Sequence, residues 1–130
     1  MNVAPILFND IHPGVVMGEW VETYSEAHAT KWLALFGHGP EAAQAASMAT
    51  VYMMRAFLNV VAPRPPGNIH AKQTLRMKGL PKIGETLTMT VACEGKELRR
   101  ERRYVDLSVK ARGEGERPIF EGLISLIWAA

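Results

Sequence analysis

Along this chain the hydrophobic positions change their period once: up to residue 61 they recur at helical spacing, and beyond residue 68 they alternate in twos. Ala27, Trp32, Leu35 and Phe36 keep helical spacing as far as Gly37, which predicts a short helix over residues 25 to 36. Thr23-Tyr24-Ser25-Glu26 has capping-box spacing, with the Thr23 hydroxyl and the Glu26 carboxylate each able to satisfy a free amide at its start. Gly-His-Gly-Pro, residues 37 to 40, then turns a corner. Pro40 suits the first position of a helix, where an N–H would be unpaired, and Glu41 favours the positive end of the helix dipole. A second helix is predicted over residues 40 to 61. Its sequence, EAAQAASMATVYMMRAFLNVV, is apolar almost all round, with Gln44, Arg55 and Asn59 the clear exceptions. Such a helix is expected to be wrapped by protein on most sides.

The Pro-rich stretch APRPPGN, residues 62 to 68, ends the helical period. In NIHAKQTLRM, Ile69, Ala71, Gln73, Leu75 and Met77 fall on one face and His70, Lys72, Thr74 and Arg76 on the other. TLTMTVACEG alternates Leu87, Met89, Val91 and Cys93 with threonines, and YVDLSVKA alternates Val105, Leu107, Val109 and Ala111 with polar residues. PIFEGLISLIW is apolar on both faces near its end, as an inner strand would be. The segments GLPKIGE, GKELRRERR and GEGER separate these four strands as turns, and VVMGEWVET, residues 15 to 23, is candidate material for a fifth. The fold class that follows is α+β: an antiparallel meander wrapped around a long apolar central helix, because a one-faced sheet needs a cover and this helix needs a wrapper.

A length of 130 residues fits one domain. The single cysteine, Cys93, excludes an internal disulfide and has no neighbours at metal-ligand spacing, so a reducing compartment is expected and no metal or cofactor is called for. The opening MNVAPILFNDIHPG has neither the basic start nor the apolar run of a signal sequence, and no stretch is long enough to span a membrane as a helix. A cytoplasmic protein is expected. The net charge of +2 is too small to imply nucleic acid, but KELRRERR, residues 96 to 103, is a local basic knot.

The long apolar helix followed by curled strands, together with LRMKGLPKIGETLTMTVAC, resembles the hot-dog fold of the MaoC-like hydratase and dehydratase family. Pro81, Gly84, Glu85 and Leu87 match a Pro-x-x-Gly-acidic-x-Leu corner that members of that family carry between two strands. The resemblance runs from about Trp20 to Trp128, with SEAHATKWLALFGH as the short helix that leads into the active-site corner. It implies a dimer joined edge to edge with an acyl tunnel at the seam, an acyl-CoA or acyl-carrier thioester as ligand, reversible hydration of a 2-enoyl group, and a place in fatty acid metabolism. Catalytic members carry a Gly-Asp-x-Asn-Pro-x-His segment after the short helix, in which Asp and His activate water while an amide at the start of the central helix polarises the thioester carbonyl. Here Gly37 matches the glycine, His38 stands at the Asp position, Pro40 follows directly and no histidine comes after it.

His38 is therefore the candidate base, at a glycine-flanked corner ahead of a helix N-terminus, with Glu41 as its local partner and Gly39 beside the bound substrate. Against this stand the ordinary roles of a loop histidine and of a carboxylate complementing a helix dipole. Asn68 and His70, at the entry of the first strand after the helix, are candidate substrate contacts; a solvent-facing strand histidine is the plainer reading. Arg99 and Arg100 could hold the phosphates of coenzyme A, although a solvated hairpin partly neutralised by Glu97 and Glu101 accounts for them equally. Nucleic acid is disfavoured, because only Tyr104 adjoins the run. His12 is assigned to a turn, His28 to the exposed side of the capped helix, and Met48, Met53 and Met54 to core filler. Ser47 lacks the elbow of a serine hydrolase. Two alternatives stay open beside the hydratase: a non-catalytic partner completing the tunnel of a catalytic hot-dog subunit in a hetero-oligomer, and an acyl-CoA thioesterase.

Overall fold

The computed structural model describes residues 3–37 and 40–130. Its elements are β1 (Val16–Thr23), α1 (Glu26–Phe36), α2 (Glu41–Val60), β2 (Ile69–Met77), β3 (Thr86–Arg99), β4 (Arg102–Arg112) and β5 (Pro118–Trp128). All five strands form one antiparallel sheet in the order β1-β3-β4-β5-β2. The alternation read from the sequence faces inward: Leu87, Met89, Val91 and Cys93 of β3 and Val105, Leu107, Val109 and Ala111 of β4 are buried. They meet Ala49, Tyr52, Met53, Ala56 and Phe57 of α2 in one core. No described helix is long and apolar enough to cross a membrane.

Four expectations are corrected. The α1 cap is Ser25, whose Oγ accepts the His28 N–H at 3.1 Å. Thr23 instead ends β1, and its hydroxyl meets that of Thr86 at 3.1 Å. The strand needs Thr23 for the ladder, so the cap moves to the next hydroxyl. The central helix is wrapped on most sides but not on one: Ser47, Val51, Arg55 and Leu58 form an exposed stripe along α2, wider than its apolar sequence predicts. One sheet covers one side of a cylinder roughly 10 Å across and leaves the other side open.

The third correction concerns order. β2 lies beyond β5 and not next to β3, so the sheet is no simple meander. The connection from β2 to β3 crosses the β4–β5 end of the sheet, where the Lys78 and Gly79 amides donate to the Ile119 carbonyl at 2.8 and 3.0 Å. Arg117 donates to the Leu80 carbonyl at 3.1 Å, and the buried Glu85 carboxylate accepts from the amides of Lys82 and Glu114, each at 3.0 Å, and from Arg117. As an edge strand, β2 exposes both faces over residues 69–74, and a register shift between His70 and Lys72 interrupts the alternation. The fourth correction is the basic knot, which is strand and not loop. β3 continues to Arg99 and β4 starts at Arg102, leaving a two-residue turn at Arg100 and Glu101 with φ of 52° and 65°. Charges on both faces of the hairpin's end hid the period from the sequence.

Candidate functional site

The corner between the two helices is fixed from both sides. α1 ends at Gly37, whose φ of +77° favours glycine and whose N–H closes on the Leu33 carbonyl at 2.8 Å. The chain re-enters at Pro40, the residue before α2, which offers no side-chain cap, and the Ala43 and Gln44 amides turn back to its carbonyl at 3.0 and 3.2 Å. The amides ahead of them have no partner within the helix. His38 and Gly39 lie outside the described residues, as does the side chain of Glu41.

Beside this corner α1 and α2 enclose an open cleft of about 230 Å³. Both helices present the same i, i+3, i+4, i+7 stripe: His28, Lys31, Trp32 and Leu35 from α1, and Met48, Val51, Tyr52 and Arg55 from α2. The buried Gln44 amide donates to the Ala29 carbonyl at 3.0 Å and ties the helices together. His28 is half-buried, not on the exposed side of its helix: its Nδ1 lies 2.7 Å from the Tyr52 hydroxyl, which also reaches the Thr23 carbonyl at 3.3 Å. Burial, reinforced by the charge of Glu22, pushes the Tyr52 phenol far above its ordinary value, so it stays neutral and works as a hydrogen-bonding hydroxyl. Next to it the Arg55 Nε binds Glu22, and the Trp20 Nε1 donates to the same oxygen at 2.9 Å. His28 and Tyr52 escaped the sequence reading. Their signal was the matched spacing of two helical stripes, visible only when both helices are laid side by side.

No protein-family model matches the chain, and no curated protein matches its sequence. Solved structures do. An (R)-hydratase from Pseudomonas aeruginosa superposes with a TM-score of 0.75 at 19% identity, over 95% of this chain and 86% of its own. A MaoC-like dehydratase from Rhodospirillum rubrum gives 0.78 at 12% identity, over 95% and 97%. A 3R-hydroxyacyl-ACP dehydratase complex from Mycobacterium tuberculosis gives 0.67 at 12% identity, over 88% and 96%. This chain has the hot-dog fold.

Within the hot-dog frame the other candidate residues fall far from the corner. Asn68 accepts the Ala129 amide at 2.8 Å, and exposed His70 sets its ring edge-on to Phe57 at 6.4 Å, both at the C-terminal end of α2. Arg99 and Arg100 are exposed at the tip of the β3–β4 hairpin, where the Arg99 guanidinium lies 4.9 Å from the centre of the Tyr104 ring. Thr86, beside the strand end that leads into α1, starts β3, and Arg99 ends it. At about 3.3 Å per residue that separation is roughly 40 Å. Cys93 is buried, and burial pushes its thiol up, which makes it a core residue and not a nucleophile.

Proposed function

We propose that this protein binds an acyl thioester and hydrates its 2-enoyl group at the corner between α1 and α2. The observation that carries the proposal is the start of α2, where Pro40 gives no side-chain cap, directly after the stretch of sequence that holds His38, in a fold shared with hydratases and dehydratases. His38 takes a proton from water as the water oxygen bonds to C3. The electron pair passes through C2 to the thioester oxygen, where α2 amides hold the charge, and the proton returns to C2. Glu41 orients His38, and Gly39 lets the backbone approach the thioester. The working form is a cytoplasmic dimer of fatty acid metabolism, with the free edge of β2 as the seam and coenzyme A or an acyl-carrier protein as the thioester carrier. α2 has 20 residues, about 30 Å, so Asn68 and His70 at its far end, like Arg99 and Arg100, serve this substrate only from a neighbouring copy.

A second reading has its own support. The positions after Pro40 where the family pattern has its histidine are filled by Ala42 and Ala43, as in a subunit that completes the tunnel of a catalytic partner. The structural relative from Mycobacterium tuberculosis is itself a complex. Loss of enoyl absorbance from a short 2-enoyl-CoA, followed with the wild-type protein and His38→Ala, decides between them. A fall of about two orders of magnitude in the variant is the size expected for losing a general base. No turnover by either folded protein gives the partner reading, and thiol release without hydration gives a thioesterase.

A further inference from the structure

We infer that the cleft between α1 and α2 is a binding site for an amphiphilic carboxylate, an aliphatic chain ending in a carboxylate group. The inference concerns the cleft and not the corner, and it holds whether or not the chain hydrates thioesters.

Polarity in the cleft is segregated along its length. The start of α1 reaches the middle of α2, where His28 bonds Tyr52, and Arg55 stands one turn on. The end of α1 meets the first half of α2, where Trp32 and Phe36 face Ser47 and Val51 across a second pocket. One pole thus carries an imidazole, a guanidinium and the neighbouring Lys31, and the other carries aromatic and aliphatic side chains. Arg55 engages Glu22 through Nε, which leaves both terminal nitrogens of its fork without a partner among the described residues. A fork of that kind matches a carboxylate in geometry as well as charge. His28 has Nδ1 committed to Tyr52, so Nε2 is the ring nitrogen left for a ligand.

The apolar pole is open: Leu35 is 76% exposed, Phe36 70% and Val51 45%. Large apolar side chains clustered at that exposure mark a binding surface. A purely apolar occupant would leave the cationic pole unused, and a purely ionic one would leave the aromatic pole wet. A chain with an anionic head satisfies both, head at Arg55 and tail along Trp32 and Phe36.

Calorimetric titration with octanoate, octan-1-ol, octylamine and octanoyl-CoA tests this. Octanoate is expected to bind, octan-1-ol at least about tenfold more weakly, and octylamine not measurably. Arg55→Gln should weaken octanoate by about tenfold or more. Because that variant also strips the partner from Glu22, Lys31→Gln and Val51→Glu accompany it, both at solvent-exposed positions; the first should weaken octanoate several-fold and the second should abolish its binding. Equal binding of octanoate and octan-1-ol, octanoate binding untouched by all three substitutions, or no octanoate binding up to about 1 mM would overturn the inference. Binding of octanoyl-CoA in place of octanoate would also overturn it, by assigning the cleft to the thioester. A wild-type dimer that Phe36→Glu dissociates, with no octanoate bound, would assign the apolar pole to a second copy.

Discussion

Removing the Glu85 carboxylate should unfold the crossover that defines the strand order. Glu85 is 3% exposed, and its two oxygens accept the Lys82 and Glu114 amides, each at 3.0 Å, and the Arg117 guanidinium. Burial by itself would raise its pKa, but the two amides and then Arg117 outweigh it and hold the carboxyl below the usual range. Glu85→Ala leaves the Lys82 and Glu114 amides without a protein acceptor and Arg117 with the Leu80 carbonyl alone, at a cost of about 3–5 kcal/mol. Arg117 is about one-third exposed, so its share is screened and the amides carry more of the loss. For a chain of this length that is a fall in Tm of roughly 10–20 °C, measured by thermal circular dichroism together with a urea midpoint. Glu85→Gln keeps the shape but turns an NH₂ toward an N–H donor, and should lose about half as much. A Cβ on Gly113 would lie 2.2 Å from the Glu85 Oε2, so Gly113→Ala should cost a similar amount, and less once Glu85 is already Ala. Since the folded pKa is depressed, the stability contributed by the carboxylate is complete above the unfolded value of about 4.3 and is lost as pH falls through the folded one. Wild-type and Glu85→Ala melting temperatures should therefore converge in acid. A Glu85→Ala protein within about 1 kcal/mol of wild type at neutral pH, or a gap unchanged down to strongly acidic pH, would refute this account.

Other outcomes follow from single contacts. Tyr52→Phe removes the hydroxyl that holds His28 and reaches Thr23, and should cost about 1–3 kcal/mol in urea unfolding while leaving the cleft apolar at its other pole. Replacing Arg100-Glu101 by Asn-Gly should raise Tm by a few degrees, because both turn residues sit in the left-handed region at about 1 kcal/mol each, and the type I′ turn favours Asn-Gly there. Binding of the enoyl thioester itself should survive Arg99→Ala in a monomeric protein, since β3 carries the exposed hairpin tip a strand's length away from Thr86, beside the start of α1; an affinity loss of about tenfold or more in equilibrium titration would place the tip at the site.

What the sequence determined by itself is whatever depends on local period. The inward residues of β3 and β4, the extents of both helices to within a residue or two, and the end of β5 at Trp128 are all set by which side chains must leave water. The end of α1 at Gly37 was equally legible, because glycine acts through its own backbone geometry, whereas Pro40, expected as the first residue of α2, is the residue before it. The tertiary structure alone decided the remaining features. The place of β2 beyond β5 depends on the bonds between residues 78 to 85 and the β4–β5 connection, which no local pattern encodes. The exposed stripe of α2 depends on how many sides of a helix one sheet can cover. His28 looked like a surface residue because its own helix said nothing of Tyr52, 24 positions away. Side chains that act in pairs across elements acquire their role only when packing brings the elements together, and the cleft is made of such pairs.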